Sequence, residues 1–538
     1  MALSGKLPLS IALAVGVLAA FSLALSGGGA QAARLAVPAA APADPGDSLC
    51  VTLGGGGPYV GCGAVFTDVQ AAVDAAGDGA VVKIAAGTYT GVQGRPAPSG
   101  YFGSTVVTQV VYITRSVAIQ GGYTTTNWTD PVPEVNVTTL DAKGEGRVLF
   151  VGGNISATIE GLRFTGGDAA GLYGNACGSW EGVGGGVFVL SATVTICHSE
   201  VWSNTADTGG GLVLYGSTAL LTENVVSSNV ADGFEGSGGG AHICESSATL
   251  SNNDITSNTA EAYGGGIEMY SSNGLLKDNV ICGNDVCCGG GLRVCSGSVV
   301  IDGNTVRNNT AIDAGGMWLD GGGDWIELGA LTLTRNVIVG NTATGYYAYP
   351  GDGGGLLMNG GAPLLINNVI VGNQASGAGS GLFIEGASPR LLHTTIASNT
   401  GGDASGIHVV RRYTWPGLWA SSAVYLTNTI LVSQTVGITV TAGSTVTVNG
   451  ILWYSTPLTA FHAPAATIFI QNQFAGDPAF AANGYHLTVR SAAIDAGVDA
   501  GVLTDVDGDT RPFGDLPDLG ADETARWQVL LPIALRGY

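Results

Sequence analysis

His242, Glu268, Arg293 and Trp318 stand 26, 25 and 25 residues apart. An imidazole, a carboxylate, a guanidinium and an indole recurring at one interval are groups that a repeated fold would set side by side. Tyr215, Tyr270, Asp320, Asn359 and Glu385 form a second series, two positions along in their own units. Rings beside carboxylates and amides suit a sugar chain, which stacks on ring faces and hydrogen-bonds through its hydroxyls. The expected sugar face therefore comprises Tyr215, His242, Glu268, Tyr270, Arg293, Trp318 and Asp320. Within it, Glu268 and Asp320 could act as an acid/base pair, although their units are two repeats apart. A separate turn holds Asp505, Asp507 and Asp509 around Gly508, and clustered carboxylates of this kind favour calcium. Gly at the fourth place and no Glu at the twelfth set this turn apart from the helix–loop–helix calcium motif. The competing reading has Arg511 neutralising these aspartates inside a structural turn.

The interval comes from a repeat. Gly-rich triplets open at Gly184, Gly209, Gly238, Gly264, Gly289, Ala314, Gly353 and Gly379, with a ninth at Ala404. Each of the first eight is followed by an Asn: Asn204, Asn229, Asn258, Asn284, Asn309, Asn341, Asn373 and Asn399. The commonest spacing, 25 residues, marks a solenoid whose units bury their apolar faces only against neighbours. Aligned on the triplet, the third and fifth positions are apolar (Val187, Leu212, Ile267; Val189, Leu214, Met269) and the position between is mixed. Period-two alternation is a strand with one face in a core and one toward water. Two more apolar columns, headed by Ile196 and Val201, make three short strands per coil, the count of a parallel β-helix. A helical repeat fails because no stretch has i, i+3, i+4 spacing and Gly, Asn, Ser and Thr dominate. The Asn column predicts an amide ladder, each side chain bonding its equivalent one coil away, ~4.8 Å along the axis. A second such column runs through Asn224, Asn253, Asn279, Asn304, Asn336 and Asn368.

Residues 1–32 read as a secretory signal, with Lys6, an apolar run from Leu7 to Leu25, and Ala30-Gln31-Ala32 as the cleavage site. No later segment has the ~20 apolar residues of a membrane helix. Residues 33–63 read as an Ala/Pro/Gly-rich linker. Nine Cys in an exported chain favour disulfides, with Cys50 and Cys62 the first pair expected. Cys244 and Cys295 share a column but lie two coils apart, too far to bridge. With 19 basic and 41 acidic residues, the net charge of −22 argues against nucleic acid as a partner.

Around residues 66–76, Phe66, Val69, Ala72, Val73 and Ala76 fall on one helical face, with Thr67 or Asp68 as N-cap. Gly77-Asp78-Gly79 ends this helix, and Val81-Val82-Lys83-Ile84 starts a strand. With Gly87-Thr88-Tyr89 and Gly121-Gly122-Tyr123, the stretch resembles the opening of pectin-lyase-like right-handed β-helix proteins. Over roughly residues 145 to 410, the Gly-Gly-hydrophobic and hydrophobic-x-x-Asn elements, such as Val201 to Asn204 and Ile370 to Asn373, resemble the repeats of polymorphic outer-membrane proteins. The sequence beyond Ala404 is too short for the membrane barrel of an autotransporter. Near the end, Asp477-Pro478-Ala479-Phe480, Tyr485-His486-Leu487, Ser491 to Gly497, Asp505 to Pro512 and Asp518 to Glu523 resemble, in that order, the choice-of-anchor Q domain. That resemblance implies a domain closing a surface β-helix.

The expected architecture is an all-β, right-handed parallel β-helix with a short N-terminal capping helix. The signal (1–32) and linker (33–63) precede a helix over 64–470, a C-terminal cap over 471–524 and a short hydrophobic tail over 525–538. Such a chain is expected to be a secreted or cell-surface monomer, adhesin-like or carbohydrate-binding, with a polysaccharide or surface glycan as partner and calcium as its one candidate cofactor. The alternatives are a polysaccharide lyase or glycoside hydrolase of the same fold, and a structural spacer of the envelope. The Asn-Thr-Asp, Asp-Asp, His-Gly and Arg-Ile-Lys motifs of β-helix hydrolases resembling polygalacturonases are missing. Of the lysines beyond the signal, Lys83, Lys143 and Lys277, none stands beside two acids.

Overall fold

The computed structural model describes residues 48–57, 59–177, 179–321, 328–414 and 417–524. The expected signal, the first part of the linker, the tail over 525–538 and most of the insertion after Gly321 lie outside these residues. Everything described belongs to one compact unit.

In the coil opening at Gly184, the three expected strands are Val187–Leu190, Thr193–Cys197 and Glu200–Trp202. A fourth, two-residue strand, Thr205–Ala206, comes directly after the ladder Asn. The next coil repeats the order from Leu212. Successive coils pair in parallel and in the columns expected, Val187 opposite Leu212 and Val189 opposite Leu214. Among the described residues, the first strands stack into a fourteen-stranded sheet. Second and third strands make one of twenty-seven, and the fourth strands, two to four residues long, one of seven. The inward columns (Val187, Leu212, Ile267, Leu292, Met317, Leu356 and their equivalents) form a continuous buried core.

The corners explain the sequence between strands. A single residue with left-handed φ precedes each Asn: Ser203, Ser228, Ser257 and Asn308 near 54°, and Gly283, Gly340 and Gly372 near 65°. Ser and Asn accept that conformation at modest cost and Gly at none. The Asn after it turns inward. Asn284 Nδ2 donates to Asn309 Oδ1 (2.9 Å) and to Ile255 O (3.0 Å). Its Oδ1 accepts from the amide of Asn258 (2.9 Å) and from Asn258 Nδ2 (3.1 Å). The same bonds join Asn204, Asn229, Asn258, Asn284, Asn309, Asn341, Asn373 and Asn399 in sequence. The second ladder runs from Asn224 to Asn368. Where the backbone turns away from a strand ladder, buried N–H and C=O groups need partners, and the amides supply them. The Gly triplets answer a different need: a Cβ on Gly266 would stand 2.5 Å from Gly291 O, so neighbouring backbones meet there without side chains.

At the start of the stack, the helix Val69–Ala75 is capped by Asp68, whose side chain accepts from the Ala71 amide. It buries Val69, Ala72 and Val73. Two boundaries differ from expectation. Ser48–Val51, placed in the linker, is a strand pairing in parallel with Val81–Ala85, and Cys50 and Val51 are fully buried. Gly-rich flanks hide that short apolar run in the sequence. Of residues 471–524, expected to cap the end of the stack, the first five belong to the strand Thr467–Ala475 and the part from Asp477 onward lies along the flank of the stack. Leu487, Ala493 and Leu519 pack on Ala397, Ile430 and Val432, while Val506 and Ala521 pack on Val369. The last strand, Thr467–Ala475, keeps Phe469 and Phe474 exposed.

Candidate functional site

The fourteen-stranded sheet presents its outward side chains between two rows of insertions. Residues 168–183, 232–237 and 344–352 enter just before a first strand, and 411–422 just after one. Hairpin Tyr173–Ala176/Ser179–Glu181 belongs to the first insertion. A disulfide between Cys177 and Cys244 ties it to the sheet, and a second joins Cys50 to Cys62. Cys295, beyond reach of Cys244, is a free buried thiol.

The register brings the expected column together: His242 opposite Glu268, Glu268 opposite Arg293, Arg293 opposite Trp318. Its environment is not the solvent face expected. His242, Glu268, Arg293 and Asp320 are buried; the Tyr263 ring lies over Arg293, and Ser237, at the end of one insertion, hydrogen-bonds Glu268. They form a chain of ion pairs. His242 Nδ1 lies 3.1 Å from Glu268 Oε2, and Arg293 reaches Glu268 Oε1 and Asp320 Oδ2 at 2.6 Å each. The Arg293 guanidinium also sits 3.8 Å over the Tyr263 ring and 5.0 Å from that of Trp318. Burial by itself would raise the Glu268 pKa, but His242 and Arg293 outweigh it and hold it at about 2. These charges are paired with one another, though His242 Nε2 and Arg293 Nε are buried without a hydrogen-bond partner, so this part of the face is a floor rather than a contact surface. Tyr215, Tyr270 and Trp318 are half-buried beside it.

Toward the C-terminal coils the same column opens. Trp318 is succeeded in register by Leu357, Phe383 and His408. Phe383 and His408 are half-buried and stack with ring centroids 5.5 Å apart. Asn359 and Glu385 occupy the adjoining outward column. Exposed Tyr346, Tyr347 and Tyr349 stand on the bank formed by one insertion, and Tyr413 and Trp419 on the hairpin opposite. Carboxylates line the edge. Asp403 accepts a hydrogen bond from His408 Nδ1 and from Ser405. Asp352 Oδ1 accepts from the Ala378 amide. Burial holds both Asp352 and Glu385 above the ordinary carboxylate range. Asp313, Asp352 and Asp403 lie outside the two outward columns of the expected sugar face. They share the position just before a Gly triplet, a column the alignment contains.

The three aspartates of the expected calcium turn have separate partners. Asp505 is fully buried and accepts from the amides of Asp507, Asp509 and Glu523. Asp507 pairs with His486 Nε2 at 2.8 Å, and Asp509 is exposed. Arg511 pairs with Glu523 (3.0 Å) instead of with these aspartates and donates to the carbonyls of Asp518, Gly520 and Ala521. Backbone amides thus use the Asp505 oxygens that a cation would need. Among the described residues, the sets that gather three candidate ligand atoms within 4.8 Å are His486/Asp507/Asp522 and Glu160/Cys197/His198. No described helix is long and apolar enough to cross a membrane.

A family model described as a right-handed β-helix region matches residues 185–354. No curated protein matches the chain. Among solved structures, the A-module of the mannuronan C-5 epimerase AlgE6 from Azotobacter vinelandii is similar at 19% identity. It covers 76% of this chain and 94% of that one, with a TM-score of 0.38. PfbA, a surface adhesin of Streptococcus pneumoniae, is similar at 12% identity over 73% and 87%, with a TM-score of 0.33. The pectate lyase Pel9A is similar at 12% identity over 89% and 97%, with a TM-score of 0.30. With its strands stacked in parallel, four short ones to a central coil, and this family match at its centre, the chain is an all-β, right-handed parallel β-helix.

Proposed function

We propose that the chain is an exported, cell-surface β-helix protein that binds an extended glycan along the outer face of its fourteen-stranded sheet. The observation that carries this reading is the open end of the outward column. Trp318, Phe383 and His408 lie there half-buried in one register, with Asn359 and Glu385 alongside and exposed tyrosines on the bank. With rungs every ~4.8 Å, Trp318 and the stacked Phe383–His408 pair, separated by the Leu357 rung, offer two ring platforms, and the amide and carboxylate offer hydroxyl partners. Two disulfides accord with an oxidising compartment. The test is a glycan array followed by calorimetry on Trp318→Ala and Phe383→Ala. Each is expected to weaken the best ligand about tenfold or more, the scale of a ring at the centre of a contact. Glycan binding unchanged in both variants would refute the site.

A second reading, a polysaccharide lyase or glycoside hydrolase, is favoured by one observation. Asp352 and Glu385 are carboxylates with raised pKa beside the Asp403–His408 pair, and acid/base chemistry uses such groups. Glu385→Gln separates the two readings: it abolishes turnover in an enzyme, whereas an adhesin shows no turnover in wild type or variant and loses only the contribution of one hydroxyl partner.

A further inference from the structure

Away from the proposed glycan face, the outer surface of the twenty-seven-stranded sheet brings together groups with no role so far. Gln120, Glu160, Cys197 and Thr222 stack in register. His198 comes next after Cys197, at a corner, and has φ 49°. A left-handed corner residue cannot continue the strand, so its side chain is thrown outward beside the thiol. Glu160, Cys197 and His198 hold one candidate ligand atom each within 4.8 Å of the others. Cys197 is a half-buried free thiol in a chain with two disulfides.

Each of these groups is oriented by something else. His198 Nε2 meets Glu223 Oε2 at 2.8 Å, which fixes the imidazole and leaves Nδ1 turned toward Glu160. Glu160 Oε2 accepts from Gln120 Nε2 at 2.9 Å, which leaves Oε1 turned toward His198. The two free atoms then stand 4.0 Å apart, too far for a hydrogen bond. In a tetrahedral zinc site, ligands 2.0–2.3 Å from the ion lie roughly 3.3–3.6 Å from one another. The gap is thus the size a metal ion closes with a small contraction. A carboxylate on the far nitrogen of a ligating histidine is the outer-shell arrangement of such sites. Glu160 and His198 also line a cavity of about 190 Å³, walled on its other side by Pro131, Val132 and Pro133.

We propose that Glu160, Cys197 and His198 bind a divalent cation of zinc type, oriented by Gln120 and Glu223, with the fourth coordination position open to this cavity. A thiolate and an imidazole select a borderline-soft transition metal over calcium or magnesium. The open position would take water or an anionic oxygen of a small ligand, as in three-ligand zinc sites.

The test uses the full-length chain stripped with a chelator and titrated with cobalt(II), then zinc. A thiolate-to-cobalt charge-transfer band is expected in the near ultraviolet, with visible bands of tetrahedral intensity, both abolished by one equivalent of zinc. Cys197→Ser should lose the charge-transfer band and one equivalent of tightly bound zinc by elemental analysis, although Cys282, Cys287, Cys288 and Cys295 remain. Glu223→Gln should keep the band and lose about 10–100-fold in zinc affinity. Melting in chelator checks that the variants fold, and His198→Gln, at an exposed corner, replaces Cys197→Ser if the latter does not. A charge-transfer band that survives Cys197→Ser, no such band in the wild type, or equal zinc content in both would overturn the proposal.

Discussion

Asn284→Ala tests how much the internal amide ladder contributes. The side chain is fully buried and makes four hydrogen bonds. Its own backbone amide keeps Asn309 Oδ1 as acceptor, so the rung above stays partly satisfied. The rung below does not: the Asn258 amide and one Nδ2 hydrogen of Asn258 lose their acceptor inside a dry core. A buried donor left without a partner costs about 1–3 kcal/mol, so the two together predict about 2–6 kcal/mol. Asn204→Ala is the internal comparison. Among the described residues, Asn204 Oδ1 accepts only from the Gly167 amide, so one donor is orphaned and about half the loss is expected. Rungs of a solenoid can open separately, so a single melting temperature is a poor measure. Hydrogen exchange at the Asn258 amide is the better one, with protection expected to fall at least about thirtyfold in Asn284→Ala. Unchanged protection at Asn258, or a loss in Asn284→Ala no larger than in Asn204→Ala, would mean that the ladder amides do not depend on Asn284 Oδ1 as their acceptor.

Two further outcomes concern the same stack. Because Glu268 is held at about 2 in the folded chain against 4.5 unfolded, its contribution is present in full above pH 4.5. It is lost as pH falls through about 2 and is worth on the order of 3 kcal/mol. Glu268→Gln should therefore be less stable than wild type at pH 7 and converge with it near pH 2; parallel pH profiles would contradict the buried ion chain. Gly266→Ala should destabilise more than Gly283→Ala. The first drives a Cβ to 2.5 Å from Gly291 O, whereas the second meets only Ser257 Oγ at 3.9 Å and strains φ. Thermal melts of the two variants decide it, and a milder effect at Gly266 would be inconsistent with backbone-to-backbone contact there.

Whatever repeats is legible in the amino-acid sequence. The apolar columns, both Asn ladders, the Asp68-capped helix and the Cys50–Cys62 pair depend on neighbours close in sequence or one period away. Period and local spacing carry that information. The rest depends on segments that interrupt the period. Cys177 finds Cys244 across 67 residues because an insertion folds back onto the sheet. Glu268 and Arg293 stand one repeat apart and the register pairs them, but a column records only neighbours on the sheet, and the Tyr263 ring that covers Arg293 reaches over from a different one. The segment from Asp477 onward packs sideways because Ile430 and Val432 present apolar side chains on the outer surface of the stack. In the sequence those residues look like any other strand.

The direction of the inter-rung bonds has a mechanical consequence. The amide-to-amide bonds of the ladders and the parallel pairing join one coil to the next, so they point along the axis. Tension applied between the two ends of the stack would load these contacts one after another, and the weakest rung would set the yield force. Tension applied across the stack would instead be shared by many rungs at once. For a filamentous ligand gripped along the outer face, the second geometry applies, and the body would hold under drag that would peel it open end to end.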